Sequence, residues 1–181
     1  MTEKDKDKAM PDGPGGNGPA YDEDFFAWTQ QQTEALRSAS RGGSNHELDW
    51  VNLAEELETL GRSERCELAS RLSLIIEHLA KLHHSPARLP RRAWRETIRR
   101  ERAEVERILE DSPSLMRLVA ALISKEVPRT LDRVICELAE PGELRRMPRE
   151  DLKAKNDYDE AQVLGEWFPP EPARAKRTGN K

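Results

Sequence analysis

A single unbroken helical pattern from Asp49 to Ser85 constrains this chain more than any other feature. At 100° per residue, Trp50, Leu53, Leu57, Leu60, Leu68, Leu72, Ile75, Leu79 and Leu82 hold one phase from end to end, as packing against partner helices requires. Asp49 supplies an N-terminal cap, and Pro86 stops the helix because it can neither donate the next hydrogen bond nor fit behind the preceding turn. Gly61 and Ser63 could end one helix and begin another. A loop there would preserve the apolar phase only by chance, so the pattern predicts a continuous helix with Gly61 as the place for a bend.

Three further helical patterns flank this one. The first opens at Asp22 or Asp24, runs through Phe25, Phe26, Trp28, Thr29, Gln32 and Leu36, and ends at Gly42, Gly43 and Ser44. Another extends from Arg91 to Glu110 with Trp94, Ile98, Val105, Ile108 and Leu109 on its inner face. The last starts at Ser112-Pro113, where proline suits a first helical turn, and continues to Glu140 with Pro128 kinking or dividing it. Beyond Pro141-Gly142 the chain is polar until a short element, Tyr158 to Leu164, leads into Trp167-Phe168-Pro169-Pro170, whose aromatics are expected to pin the C-terminus.

A helix of about 36 residues spans about 54 Å, whereas a compact domain of this size has a radius of gyration of roughly 15 Å. The long helix is therefore expected to serve as a spine, its N-terminal half covered by the first helix and its C-terminal half by the third and fourth. Apolar surface left at the ends of such a spine favours a homodimer.

The rest of the composition agrees with helices. Charged residues make up 35% and hydrophobic ones 36%, β-forming runs that alternate in polarity are absent, and the net charge is −4. That balance gives the whole molecule no pull toward nucleic acid or an anionic membrane. Cys66 and Cys136 form neither a CxxC pair nor a disulfide framework, the start MTEKDKDKAM lacks a signal peptide's apolar core, and no stretch approaches the roughly 20 apolar residues of a membrane span. The expectation is a soluble cytoplasmic protein. Residues 1 to 20, ending in PDGPGGNGPA, and 171 to 181, EPARAKRTGNK, offer nothing to bury and are expected to be disordered around a single domain at 21 to 170.

The segments DEDFFAW (22 to 28), LDWVNLAEELETLGRSE (48 to 64), RLSLIIEHLAKL (71 to 82), AWRETIRRER (93 to 102), DSPSL (111 to 115) and YDEAQVLGEWFP (158 to 169) together resemble one family. It is the Domain of Unknown Function 29 family of small helical bacterial proteins. The resemblance covers about residues 21 to 170 and implies an all-helical fold, no known activity and no catalytic residues to carry over. This chain departs from the family pattern in its glycine-containing linker at 42 to 44 and in its His83-His84 pair.

No catalytic constellation can be read from the residues. His78, His83 and His84 are spaced by five and six, whereas chelation from one helix needs three or four. Di-iron bundles use Glu-x-x-His pairs, which are missing, so a metal-dependent enzyme built on His78 ranks last and no cofactor or metal ligand is assigned. Arginines concentrate between Arg88 and Arg107. Arg92, Arg95, Arg99 and Arg100, with Trp94 among them, form a basic patch that could hold phosphate and stack a base. The plainer expectation is helical ion pairing of Arg92 with Glu96, Glu96 with Arg100 and Arg102 with Glu106.

Glu64, Arg71 and His78 recur every seven residues along the margin of the leucine face. They read either as an ordinary amphipathic margin or as a polar seam that fixes register or receives a partner. The sequence thus describes an all-α, elongated antiparallel bundle with one long central helix. Its expected role is non-enzymatic, in oligomerisation or partner binding, with nucleic-acid binding through the third helix second.

Overall fold

The computed structural model describes residues 18–42, 48–85, 87–139 and 158–170. Helix α1 (Phe25–Arg41) starts at Asp24, whose backbone is extended and whose carboxylate accepts a hydrogen bond from the Ala27 amide at 2.9 Å. Ala20, expected at the end of the disordered arm, instead belongs to the turn feeding α1: its carbonyl accepts from the Glu23 and Asp24 amides at 3.0 and 3.2 Å. Residues 1–17 and 171–181 lie outside the described residues. Gly42 closes α1 by donating its amide to Ser38 and Ala39.

Helix α2 (Trp50–His84) is continuous over 35 residues, capped by Asp49 and ended at Ser85. Gly61 is the site of a close approach by α1 within this unbroken helix. A Cβ there would stand 2.5 Å from Thr29 Oγ1 and 3.7 Å from the Phe26 ring. The missing side chain lets two helices touch, which explains a glycine where helix propensity alone disfavours one.

Helix α3 (Arg91–Asp111) runs antiparallel to α2, with Arg91 Nη1 donating to the Ser85 carbonyl at 3.3 Å and Arg71 paired with Glu101 at 2.9 Å. After a 3-10 turn at Pro113–Leu115 comes α4 (Met116–Ala139). Proline begins that turn as expected, but Pro128 does not divide α4, which continues through it with the proline exposed. Successive cross-helix pairs, Ser73 with Thr130, Glu77 with Arg133 and Lys81 with Glu137, place α4 parallel to α2. Helix α5 (Glu160–Leu164) opens with a reciprocal capping box between Asp159 and Gln162.

All described elements are helices and turns, joined in an up-and-down bundle. Its core gathers Leu68, Leu72, Ile75, Ile76 and Leu79 of α2 with Ile98 and Val105 of α3, Val119, Ile123 and Leu131 of α4, and Val163 of α5. The N-terminal part of α2 differs. Between Trp50 and Leu60 only Ala54 is buried, because α3 has ended by the level of Gly61 and only α1 runs alongside. Leu53 and Leu60, expected on the packed face, are 43% and 48% exposed. Their periodicity is that of the core, but the elements that would cover them do not reach so far.

Candidate functional site

Helix α3 and the C-terminal strap, residues 158–170, meet in a polar arrangement centred on Arg102. Strap here means α5 and the extended residues around it. Arg102 projects from α3 and donates to the carbonyls of Val163 (Nε, 2.8 Å), Gln162 (2.8 Å) and Trp167 (2.9 Å). The expected Arg102–Glu106 pairing is replaced by capture of the strap's main chain, since one planar guanidinium satisfies several carbonyls at once. Burial lowers the Arg102 pKa, opposed by the charge of Glu166 and assisted by that of Arg99. Phe168 lies among three guanidiniums, with Arg95, Arg99 and Arg102 at 6.0, 5.4 and 5.1 Å from its ring centroid. Trp167 and Phe168 pack on the core, and Tyr158, buried beside Trp167, has its phenol pushed up by burial.

The four arginines expected as a basic patch therefore have different surroundings. Arg92 pairs with Glu96 at 2.9 Å as anticipated and is otherwise in water. Arg100 bonds to Glu101, at 2.9 and 3.0 Å, in place of Glu96. Arg95 and Arg99 flank Phe168.

Glu101, which sequence reasoning passed over, is 1% exposed and joins α3 to α2 through Arg71. Burial pushes its carboxyl up, but hydrogen bonds from Arg71 and Arg100 and their charges outweigh that and hold it below the ordinary carboxylate value. The available signal was its phase, three residues after Ile98 and four before Val105 on the inner face of α3, but Glu101 follows Arg100 directly and reads as a surface pair.

The heptad-spaced seam separates into three environments. Arg71 bridges Glu67 (3.1 Å) and Glu101 (2.9 Å), and its pKa is raised chiefly by those hydrogen bonds. His78 turns back on its own helix, with Nδ1 2.9 Å from the Leu74 carbonyl oxygen. Glu64 faces a concavity with Tyr21, Phe25, Glu67, Glu104, Arg107 and Asp111. Burial first, then the like charges of Glu67 and Asp111, push its carboxyl up. His83 and His84 stack on each other at 4.7 Å, and among the described residues no group of three or more His, Cys, Asp or Glu is placed to hold a metal. Cys66 and Cys136 are both exposed thiols.

Two of the quoted sequence segments meet around Asp24. Besides capping α1, its carboxylate accepts from the Ser114 amide (2.6 Å) and hydroxyl (2.9 Å), while Ser112 Oγ accepts from the Phe26 amide at 3.2 Å. The start of α1 and the α3–α4 turn thus cap each other, and this knot fixes the angle at which α1 leaves the bundle.

What α1 and α2 carry away from that knot is a two-helix arm. It is tied by Arg37 of α1 to Glu58 of α2, which also pairs with Arg62 within α2, and its α2 face presents Leu53, Leu57 and Leu60, with Trp50 half-buried. No helix among the described residues is long and apolar enough to cross a membrane.

Comparison with known proteins adds the following. The sequence model of a family described as Domain of unknown function DUF29 matches residues 20–168. An alpha-helical protein of unknown function from Rhodospirillum rubrum, known from its crystal structure, shares the fold with a TM-score of 0.66 and 24% sequence identity over 83% of this chain and 92% of its own. No functionally curated protein matches the chain.

Proposed function

Because this chain belongs to the DUF29 family, whose description carries no activity, we propose from its own surfaces that it is a non-enzymatic helical interaction protein that self-associates through the α1–α2 arm. The observation that carries this reading is the apolar stripe of α2 beyond the end of α3, where Leu53 and Leu60 remain 43% and 48% exposed. Trp50, Leu53, Leu57 and Leu60 are spaced three and four apart, the pattern of a helix seam. Two such stripes placed antiparallel about a point between Glu56 and Leu57 set Leu53 of one copy against Leu60 of the other, so the surface complements itself under two-fold symmetry.

Completing the burial of a half-exposed leucine contributes roughly 1 kcal/mol. The four leucines of a symmetric contact then contribute roughly 4 kcal/mol, which by itself corresponds to about millimolar affinity. Association is therefore expected to be weak and concentration-dependent unless Trp50 and α1 add to it.

The arginine-rich helix supports a nucleic-acid role less well, since Arg102 is occupied by the strap and Arg92 and Arg100 are neutralised by Glu96 and Glu101. The test is a Leu53→Glu, Leu60→Glu double variant examined by size-exclusion chromatography with light scattering. Loss of self-association with unchanged helicity supports the reading. A wild-type chain of 20.7 kDa that stays monomeric at every accessible concentration overturns it.

A further inference from the structure

Beside the Gly61 contact, the two helices of the arm border a cavity of about 280 Å³. Its buried lining is Phe26, Thr29, Thr33 and Gly61. Both threonine hydroxyls donate to the α1 main chain, Thr29 to the Phe26 carbonyl and Thr33 to the Thr29 carbonyl, each at 2.7 Å, so neither offers its proton to a guest. The donors that remain stand on the rim: Gln30 and Arg37 from α1, Arg62 and Arg65 from α2.

The arginines converge from two helices. Arg62 and Arg65, three residues apart, share one side of α2. Arg37 reaches across from α1 to the Glu58 carboxylate, which Arg62 approaches at 3.7 Å. The other carboxylate of the lining, Glu34, is paired at 2.9 Å with Arg41, which does not border the cavity. Three guanidiniums therefore face the single carboxylate of Glu58. Arg65 is exposed and makes no ion pair or side-chain hydrogen bond among the described residues. Arg37 meets Glu58 through Nη2 alone, and Arg62 stands beyond hydrogen-bond distance of it, so most of their N–H groups are open to a guest.

This balance selects the guest. With Glu58 matched to one guanidinium, a compact dianion neutralises the other two. A phosphoryl group carries a charge of about −1.5 to −2 at pH 7 and presents three strong acceptor oxygens, and planar guanidiniums bind it through paired hydrogen bonds. A dicarboxylate divides the same charge between two ends. Polyanions are disfavoured, because the chain has a net charge of −4 and α2 places Glu55 and Glu56 before these arginines and Glu64 and Glu67 around and after them. The volume is close to the lower end of small-molecule sites, roughly 300 Å³, room for a phosphoryl group and a few further atoms.

We propose that this cavity binds the phosphoryl group of a small phosphomonoester between Arg37, Arg62 and Arg65. It lies roughly 140° around α2 from the leucine stripe, so this proposal and self-association can fail separately.

The probes are inorganic phosphate and glycerol phosphate, titrated into the isotope-labelled full chain at constant ionic strength, with succinate and chloride as controls and two-dimensional NMR as the readout. With both phosphates, shifts should saturate at the Gly61 amide and at the Nε–H groups of Arg62 and Arg65, and stay small at Arg92, an exposed arginine outside the cavity. Arg65→Ala removes a side chain without a partner among the described residues, so helicity should be unchanged while the Kd for glycerol phosphate rises about tenfold, the loss expected for one charge-assisted hydrogen bond. Arg92→Ala should leave that Kd where it was. An equal response to succinate, a response to inorganic phosphate but not to glycerol phosphate, shifts at Arg92 as large as at Arg65, no saturation, or an unchanged Kd in Arg65→Ala would overturn the proposal. Tighter binding of a short oligonucleotide than of glycerol phosphate at the same residues would assign the arginines to a polyanion and also overturn it.

Discussion

Replacing Gly61 with alanine sets two opposed effects against each other. In a helix interior the added methyl is worth about 1 kcal/mol of stability, because alanine loses less backbone entropy than glycine. Against that, the new Cβ would lie 2.5 Å from Thr29 Oγ1, far inside contact distance. Thr29 is 1% exposed and its hydroxyl donates to the Phe26 carbonyl at 2.7 Å, so it cannot swing away freely. Breaking that buried bond costs about 1–3 kcal/mol, and spreading the helices costs a similar amount, about 1–3 kcal/mol.

Taking the middle of that range, Gly61→Ala should destabilise by about 1 kcal/mol, lowering Tm by roughly 2–4 °C. In a Thr29→Ala background the oxygen is gone, and the nearest remaining atom, the residue-29 Cβ, stands at an ordinary 3.5 Å. There the same substitution should stabilise by about 1 kcal/mol, a coupling of about 2 kcal/mol in the double-mutant cycle. Urea unfolding of all four proteins followed by far-ultraviolet circular dichroism measures it. Stabilisation by Gly61→Ala in both backgrounds would refute the reading of Gly61 as a contact point.

Other substitutions test the supports of the fold. Asp24→Ala removes the α1 cap and both acceptors of Ser114, and should cost about 2–3 kcal/mol in urea unfolding. Tyr158→Phe deletes a buried hydroxyl that has no hydrogen-bond partner among the described residues, so unfolding should report no loss, or a gain of up to about 1 kcal/mol. Glu101 and Glu77 are both held below the ordinary carboxylate value of 4.5 in the folded chain. Their contribution is full above pH 4.5 and is lost as pH falls through their folded values, so acid unfolding below pH 4.5 should be steep and should flatten in Glu101→Gln. Glu64 is shifted the other way, its folded value lying above 4.5; its contribution is full below pH 4.5 and lost as pH rises through the folded value. Glu64→Gln should therefore raise the denaturation midpoint at pH 7.

The helices, the spine and the C-terminal pin were legible because period, caps and breakers are local. Asp49, Ser85 and the Tyr158–Leu164 element lie where pattern and capping chemistry place them. The reach of α3 along α2 was not legible, because periodicity records what a face could bury and is silent on where its neighbour ends. Leu53 and Leu79 look alike in sequence and differ in the structure for that reason alone. Glu101 and Arg102 were missed on similar grounds. On a charged helix every arginine has a nearby glutamate in sequence, and only the strap and α2 decide which partner wins. Gly61 read as the place for a bend because Thr29, the residue that needs its missing side chain, lies on another helix.

The central claim is that the α2 stripe is a covered surface when the chain is concentrated. Amide hydrogen–deuterium exchange of the full chain, at two concentrations about a hundredfold apart and analysed by mass spectrometry, addresses it directly. The account predicts that peptides spanning 50–60 exchange more slowly at the higher concentration, while those spanning 68–85, already inside the bundle, do not change. Identical exchange of 50–60 at both concentrations, in a protein that remains folded, would contradict it.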